Sequence, residues 1–324
     1  MKEITMNVAL NEAIHEEMER DPNVFVLGED IAKMGGSWGI TKGLLAKFGP
    51  ERVIDTPLCE AGPLAMAIGA ALYGKRPIVE IMFADFLSVV YDGIVNQAAK
   101  MRYMSGGKIT CPLVIRAAQG AGAGIGAHHS QSVEGWFMNA PGLKIVCPTT
   151  PYQAKGLMKA AIRDDNPVLF LEPKNLFRVP GKVPEGEYIV EIGKAEVEKK
   201  GTDITIIAYQ LELIRAREAA AELEKQGISV EIVNPITVKP FDKETIFASV
   251  KKTGRVIIVH EGCKTGGFGA ELSASITESC FDYLKAPIMR LGAFDSPIPY
   301  GRAEFFMIPT VADIVNTAKT LIKK

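Results

Sequence analysis

Neither sign of charge dominates this sequence, which limits the partners of the chain. Its 324 residues carry 37 Lys and Arg against 38 Asp and Glu, for a net charge of -1. Nucleic-acid-binding domains usually show a basic excess or a basic stripe, and no cluster of basic and aromatic residues occurs here. We therefore expect no nucleic-acid partner.

Cysteines are few, and long apolar runs are missing. The five cysteines are scattered without the paired spacing of metal or redox motifs, a pattern typical of a reducing compartment. No window holds 18 uninterrupted apolar residues, so we expect no membrane span. Residues 1–21 alternate charged and apolar side chains and lack the apolar core of a signal peptide. The sequence predicts a cytoplasmic protein.

Standard phosphate-binding motifs are also missing. The chain has no GxxxxGK[ST] and no complete GxGxxG; only a GxGxxA variant fits, from Gly122 to Ala127. No acidic residue closes a following strand about 20 residues on, as a dinucleotide fold requires. Because the glycine run at 120–127 follows a predicted strand, an NAD-binding dehydrogenase nevertheless stays open as an alternative.

Short strands that are apolar on both faces alternate with helices along most of the chain. This pattern is typical of a parallel sheet covered by helices, and the length favours two domains. A segment rich in Pro, Gly and charge interrupts the alternation, which then resumes. We predict an α/β fold with two domains, each a mainly parallel sheet covered by helices. The catalytic domain spans 1–180, a linker 181–201, and a smaller domain 202–324.

Glu60, in "DTPLCEAG", follows a predicted strand and precedes an apolar helix. Ligands of open α/β sheets bind at that edge. The flanking small and apolar residues predict poor solvation, which raises a carboxyl pKa and makes the group a usable proton donor or relay. The alternative is a helix N-terminal carboxylate favoured by the helix dipole. Glu29, at the end of an earlier strand, carries the same ambiguity.

Other polar residues admit two interpretations. We predict that Asp85 caps a long helix and that Met82, Phe83 and Phe86 form a pocket wall or core. The segment Arg163–Pro167 is either a turn or a source of oxygen ligands for a hard cation.

Two adjacent histidines, His128 and His129, follow the glycine run. Side chains alternate along an extended segment, so only one of the two faces a given cavity. The segment is either a polar surface loop or a loop that glycines allow to reach a ligand. For His260 and Glu261, at the end of a later strand, we favour a core or interface role.

These pieces occur together in one family. From "LNEAIHEEMERDPNVFVLGEDI" through "RVIDTPLCEAG", "HHSQS" and "SVKKTGRVIIVHEGCKTGGFGAEL" to "DSPIPYG", the chain resembles the beta subunit of the thiamine-diphosphate-dependent, decarboxylating component of 2-oxo acid dehydrogenase complexes. "EIMFADFLSVVYDGIVNQAAKMRYMSGG" is most similar to acetoin dehydrogenase beta chains. Branched-chain members often carry Gln in place of Met82 and Tyr in place of Phe86. The second domain departs from the family at "AYQ", Ala208 to Gln210, and at "NPITVKP", Asn234 to Pro240.

The resemblance implies residue roles. Glu60 would hydrogen-bond the cofactor's aminopyrimidine ring and favour the imino tautomer that takes the thiazolium proton. His129 would act near the substrate and lipoyl group, whereas His128 has no assigned role. Four residues would line the thiamine site: Glu29, Leu58, Met82 and Phe86. Five would hold a structural potassium ion, mostly through backbone oxygens: Leu113, Ala161, Ile162, Asp164 and Asn166.

A further absence fits the resemblance. Thiamine enzymes bind the diphosphate through magnesium held by a GDG segment, which this chain lacks. The resemblance implies that an alpha subunit supplies it, in an assembly of two alpha and two beta chains. The C-terminal domain would dock a lipoyl-bearing acyltransferase core. The exact substrate stays open among acetoin, pyruvate and branched-chain 2-oxo acids, and a non-catalytic assembly subunit is a further alternative.

Overall fold

The computed structural model describes residues 1–323, and its contacts divide the chain into two units. The first unit comprises Met1–Gln119 and Asn139–Ile192. The second comprises Gly120–Met138 and the described residues from Gly193 onward. The linear pattern places Gly120–Met138 within the first domain, whereas the contacts group this segment with the second unit.

The first unit contains a parallel sheet with the strand order β3-β2-β4-β5-β7-β6, and a separate antiparallel pair, β1 and β8. Its strands are β1 (Lys2–Thr5), β2 (Val24–Gly28), β3 (Val53–Asp55), β4 (Arg76–Phe83), β5 (Val114–Gln119), β6 (Lys144–Val146), β7 (Val168–Pro173) and β8 (Pro180–Val183). Every residue of β5 and β7 is buried, as expected for strands covered on both faces.

The helices of both units, in chain order, are α1 (Met6–Arg20), α2 (Leu44–Phe48), α3 (Ala61–Leu72), α4 (Met101–Met104), α5 (Glu134–Phe137), α6 (Pro151–Arg163), α7 (Leu211–Glu224), α8 (Lys243–Thr253), α9 (Phe268–Cys280) and α10 (Val311–Ile322). α6 begins with Pro151 at its first position, as predicted, and Thr150 accepts the N–H of Gln153 as its cap. α1 packs on α6 in the first unit.

Three charged side chains lie inside the first sheet. Arg116 of β5 donates two hydrogen bonds, of 2.9 and 2.8 Å, to the carboxylate of Glu172 on β7, and it also pairs with Glu80 on β4. All three are buried. Because an unpaired buried charge is costly, this bidentate pairing across three strands satisfies each group and fixes the strand neighbours.

The prediction of one long helix after β4 is wrong. The structure has a 3-10 helix at Ala84–Ser88, a π-helical stretch at Gly93–Ala98 and then α4. Asp85 lies in the first turn of the 3-10 helix and is not its cap. A side chain at Gly93 would place its Cβ 2.8 Å from Leu64 of α3, so glycine permits the close approach that accompanies the irregular winding.

The second unit contains a sheet with the order β14-β13-β10-β11-β9. The four strands from β14 to β11 run parallel to one another, and β9 runs antiparallel to β11. The strands of this unit are β9 (Glu196–Lys199), β10 (Ile204–Ala208), β11 (Val230–Asn234), β12 (Thr237–Lys239), β13 (Val256–Cys263) and β14 (Met289–Ala293). The two sheets confirm the predicted α/β fold.

The stretch Gly301–Ile322 is long and apolar enough to cross a membrane by length and composition alone. It is a 3-10 helix followed by α10, and α10 buries Ile314, Ala318 and Leu321 in the core of the second unit. We therefore interpret α10 as a core helix.

Both departures from the family pattern have a backbone consequence. Gln210 precedes α7 with a φ of 53°, a conformation that non-glycine residues rarely adopt. Asn234 is buried and accepts the N–H of Ile236, whose φ is 57°. Both altered segments therefore contain a backbone position in the left-handed region.

Candidate active site

Glu60 lies where the sequence predicts, between β3 and α3 at the carboxyl edge of the first sheet. It occupies the N-cap position of α3, but its side chain makes no capping hydrogen bond. The residue is half-buried. Its apolar neighbours do not cover it as the sequence suggests, because Leu58 is 84% exposed and Cys59 is also exposed. The carboxylate is thus an acceptor that a ligand can reach.

Glu29 follows β2 at the same edge and is only 8% exposed. Its Oε1 accepts the backbone N–H of Cys59 at 3.1 Å. Burial raises the pKa of Glu29, and the nearby charges of Glu60 and Asp30 raise it further, while the Cys59 hydrogen bond opposes them. The structure therefore brings two predicted site carboxyls, Glu29 and Glu60, close enough to interact.

Aromatic and apolar side chains lie at the end of β4, the strand next to β2, and directly after it. Phe83 packs edge-on against Phe86, with ring centroids 6.3 Å apart. Met82 and Phe86 are half-buried. These groups leave apolar surface near the end of β4, which suits one face of a heteroaromatic ring.

The residues present fit the aminopyrimidine of thiamine diphosphate. A ring nitrogen needs a carboxyl partner, and Glu60 offers one that the helix does not use. The apolar surfaces of Leu58, Met82 and Phe86 suit the rest of the ring. Residues 1–323 contain no cluster of three His, Cys, Asp or Glu side chains suited to a metal ion.

His129 lies in the second unit, at the end of the glycine loop, which we define as residues 120–131. Its backbone N–H donates to the carbonyl of Gly126 at 3.2 Å. The His129 side chain is half-buried and that of His128 is exposed, as expected if only one of two neighbours faces a cavity.

The glycine loop does not have the form of a dinucleotide site. After β5 the chain runs through the loop without entering a helix until α5, at Glu134. Two of its N–H groups, those of Ala121 and Gly124, donate to carboxylates of the second unit. A dinucleotide site needs free N–H groups and a helix N-terminus at this point, so the geometry argues against NAD binding.

The oxygens assigned to potassium lie at the opposite, amino edge of the first sheet, around the end of α6. The carbonyls of Ile162 and Asp164 accept hydrogen bonds from Arg76 at 2.7 and 2.8 Å. The carboxylate of Asp164 pairs with Lys144. Carbonyl and carboxylate oxygens are ligands that a hard cation prefers, but two protein cations already neutralise this end of the helix.

The other three oxygens of this set have local partners. The carbonyl of Leu113 accepts the N–H of Val168 at 2.9 Å. That of Ala161 accepts the N–H of Asp164 at 3.3 Å. The side-chain oxygen of Asn166 accepts from Arg102 at 3.0 Å.

Reasoning from sequence missed two groups of the second unit, Glu261 as a loop contact and Glu304 altogether. They lie 140 and 180 residues from the N–H groups they accept. A cavity of about 420 Å3 adjoins the end of the glycine loop, and Ser130, Glu134 and Glu261 contribute to its wall. The only sequence signal for Glu261 is its position, a carboxylate at the end of an apolar strand, β13.

Two known domain families match most of the chain. Residues 2–180 match the family described as "Transketolase, pyrimidine binding domain", and residues 193–314 match "Transketolase, C-terminal domain". A chain titled "Split gene transketolase, inactive beta4 tetramer" has the same fold, with a TM-score of 0.80 and 24% identity over 99% of this chain and 98% of that chain. Fold and matches together define a transketolase-like chain.

Relatives narrow the family further. The 2-oxoisovalerate dehydrogenase subunit beta of Bacillus subtilis is 50% identical over 93% of each chain. A mitochondrial pyruvate dehydrogenase E1 component subunit beta-2 of Oryza sativa is 46% identical over 98% of this chain and 86% of the relative. The acetoin:2,6-dichlorophenolindophenol oxidoreductase subunit beta of Cupriavidus necator is 45% identical over 99% and 98%.

The chain belongs to this family of dehydrogenase beta subunits, those of the E1 components of 2-oxo acid dehydrogenases and of acetoin oxidoreductases. The resemblance predicted from the sequence is confirmed. The three identities do not single out acetoin.

Proposed function

We propose that this chain supplies the proton-handling half of a thiamine-diphosphate site. The observation that carries the proposal is the Glu60 carboxylate, reachable at the carboxyl edge of the sheet, unused by its helix and adjacent to Glu29. Bound thiamine diphosphate supplies the nucleophilic carbon needed for C–C cleavage. Glu60 would hold the aminopyrimidine through a shared proton, and Leu58, Met82 and Phe86 would pack on the ring.

His129 is proposed to act near the substrate during transfer of the acyl or aldehyde unit to a lipoyl group. His129 is half-buried in the glycine loop, so a second substrate can reach it. The lipoyl group would belong to an acyltransferase core, docked by the second unit. This role predicts that His129→Ala impairs transfer more than cleavage.

The chain lacks the GDG segment through which thiamine enzymes hold magnesium and the diphosphate. We propose that the alpha chain holds magnesium and the diphosphate, and that two alpha and two beta chains assemble. The relatives' names as beta subunits support a partner chain. Because a Bacillus subtilis protein is among the relatives, we also propose a cytoplasmic location.

The experiment is co-expression of the chain with its alpha subunit and a comparison of Glu60→Ala with the unaltered pair. Cleavage of acetoin, pyruvate and branched-chain 2-oxo acids with an artificial electron acceptor identifies the substrate. We expect one substrate class to dominate and the variant to lose at least about 100-fold in turnover. Normal turnover by a correctly assembled Glu60→Ala pair would show that Glu60 is not catalytic and would favour a non-catalytic assembly role.

Potassium binding remains a separate proposal, at the oxygens of Leu113, Ala161, Ile162, Asp164 and Asn166. Replacing potassium by choline at constant ionic strength should lower the melting temperature of the assembled protein, because binding to the folded state stabilises it. An identical melting temperature in both salts would leave Arg76 as the cation that neutralises this helix end.

A further inference from the structure

The glycine loop is held by two buried carboxylates of the second unit. The N–H of Ala121 donates to Oε1 of Glu261 at 3.1 Å. The N–H of Gly124 donates to both carboxylate oxygens of Glu304, at 3.1 and 3.2 Å. Glu304 is 2% exposed and Glu261 is 7% exposed. A segment that its sequence suggests is a free hinge is thus fixed at two points before it reaches His129.

Backbone contacts add a third attachment. The N–H of Gly301 donates to the carbonyl of Gly124 at 2.9 Å, and Ile125 forms a β-bridge with Tyr300. Gly124 has a φ of 68°, and a Cβ there would lie 3.2 Å from the Cα of Gly301. The glycine therefore permits both the turn and the close approach that bring its N–H to Glu304.

The position of the glycine loop decides whether the Glu304 carboxylate keeps its hydrogen-bond donor. A buried carboxylate without donors is costly, and within residues 1–323 the Gly124 N–H is the donor that the geometry gives to Glu304. Departure of the loop would leave this charge buried and poorly paired. The cost opposes departure, so the carboxylate restricts the positions available to the loop.

We propose that Glu304 and Glu261 are positioning residues that place His129 for acyl transfer. Few residues separate the carboxylates from His129. Glu304 accepts the N–H of Gly124, and the carbonyl of Gly126, two residues after Gly124, accepts the N–H of His129. The inference rests on the proposed function, which gives His129 its role. It goes beyond that function because it gives a role to two carboxylates that the proposed function does not use.

The test uses the chain assembled with its alpha subunit and acyltransferase. Hydrogen-exchange mass spectrometry follows the amides of residues 120–131 in Glu304→Ala, Glu304→Gln and the unaltered protein. Two rates are measured on the same samples: substrate cleavage with an artificial acceptor, and acylation of a free lipoyl domain. We expect faster exchange and at least about tenfold slower lipoyl acylation in Glu304→Ala, with cleavage changed by no more than about threefold. Glu304→Gln keeps an acceptor oxygen and should restore most of both properties.

Glu231 provides the matched control. It is a buried carboxylate of the same unit that accepts the N–H of another glycine, Gly201, at 3.2 Å. Glu231→Ala should leave the ratio of the two rates and the exchange of residues 120–131 unchanged. If Glu304→Ala does not assemble, Glu304→Asp retracts the carboxylate by one methylene and should give the same altered ratio.

The outcomes separate the two claims. Unchanged exchange in Glu304→Ala, or faster exchange with an unchanged rate ratio, would overturn the positioning role and leave the proposed function intact. Normal lipoyl acylation by His129→Ala would instead overturn the role proposed for His129, whatever the exchange data show.

Discussion

The backbone N–H of Cys59 donates to Oε1 of Glu29 at 3.1 Å and thereby ties the turn before Glu60 to the end of β2. The bond anchors the residue next to Glu60, which occupies the N-cap position of α3 without a side-chain capping hydrogen bond. Glu29, at the end of β2, thus orients the segment after β3 that carries Glu60, the carboxyl proposed to handle the proton.

Replacing Glu29 tests this relationship. Glu29→Ala removes the acceptor of the Cys59 N–H, so the turn before Glu60 loses its attachment. We expect the turnover of the assembled protein to fall by about tenfold or more. Glu29→Gln keeps a carbonyl acceptor and removes the charge that repels Glu60, so it should retain most of the activity. If the Gln variant is as impaired as the Ala variant, the charge of Glu29 matters and the hydrogen bond does not.

Glu212, at the start of α7, makes stability depend on pH. Burial raises its pKa to about 8, although Arg215 opposes the shift. The folded state therefore holds this proton more tightly than the unfolded state, whose pKa is near 4.5. The resulting stability is present below pH 4.5 and is lost as pH rises through 8.

Glu212→Gln removes this titration. The variant should gain free energy of unfolding relative to the unaltered chain between pH 5 and pH 9, by at most about 5 kcal/mol. Urea unfolding at pH 5, 7 and 9 measures the difference. Glu222→Gln, exposed on the same helix, should show no such trend. A gain that is the same at all three pH values would contradict the raised pKa.

Lys159 joins α6 to two acidic partners and is itself fully buried. Its Nζ lies 2.5 Å from Glu16 and 2.7 Å from Glu187. The hydrogen bond from Lys159 holds the pKa of Glu187 below its usual value. A lowered carboxyl pKa contributes stability above the unfolded pKa, and this contribution is lost as pH falls through the folded value.

Lys159→Met should therefore cost about 1–2 kcal/mol at pH 7 and flatten the loss of stability below pH 4.5. Thermal or urea unfolding at pH 7 and pH 3.5 provides the comparison. Lys47→Met breaks a pair with Glu19 in which both side chains are about half exposed, so it should cost no more than about 0.5 kcal/mol. Equal losses from the two variants would mean that burial of Lys159 adds nothing.

Local patterns predicted the architecture and the position of Glu60 between β3 and α3. Buried strands such as β7 and β10, which alternate with helices, indicated both sheets. Glu60 was found because a carboxyl between a strand and an apolar helix falls at the ligand-binding edge of such a sheet. Pro151 marked the start of α6 for an equally local reason.

Long-range pairings were not predictable from the sequence. The donors of the glycine loop and their acceptors, Glu261 and Glu304, are 140 and 180 residues apart. The pairing of Arg116 with Glu80 and Glu172 requires the strand order to be known first. The prediction of a long helix after β4 was wrong, and the close approach of Gly93 to Leu64 of α3 is likewise a contact between distant parts of the chain.

Exchange of the proton at the reactive thiazolium carbon tests the central claim most directly. Rapid-quench deuterium exchange, read by NMR, follows this proton in the assembled protein without substrate turnover. With Glu60→Gln we expect exchange to slow by about 100-fold to 10,000-fold while thiamine diphosphate still binds. Exchange at the unaltered rate in an assembled, cofactor-loaded Glu60→Gln protein would contradict the proposal that this carboxyl activates the cofactor.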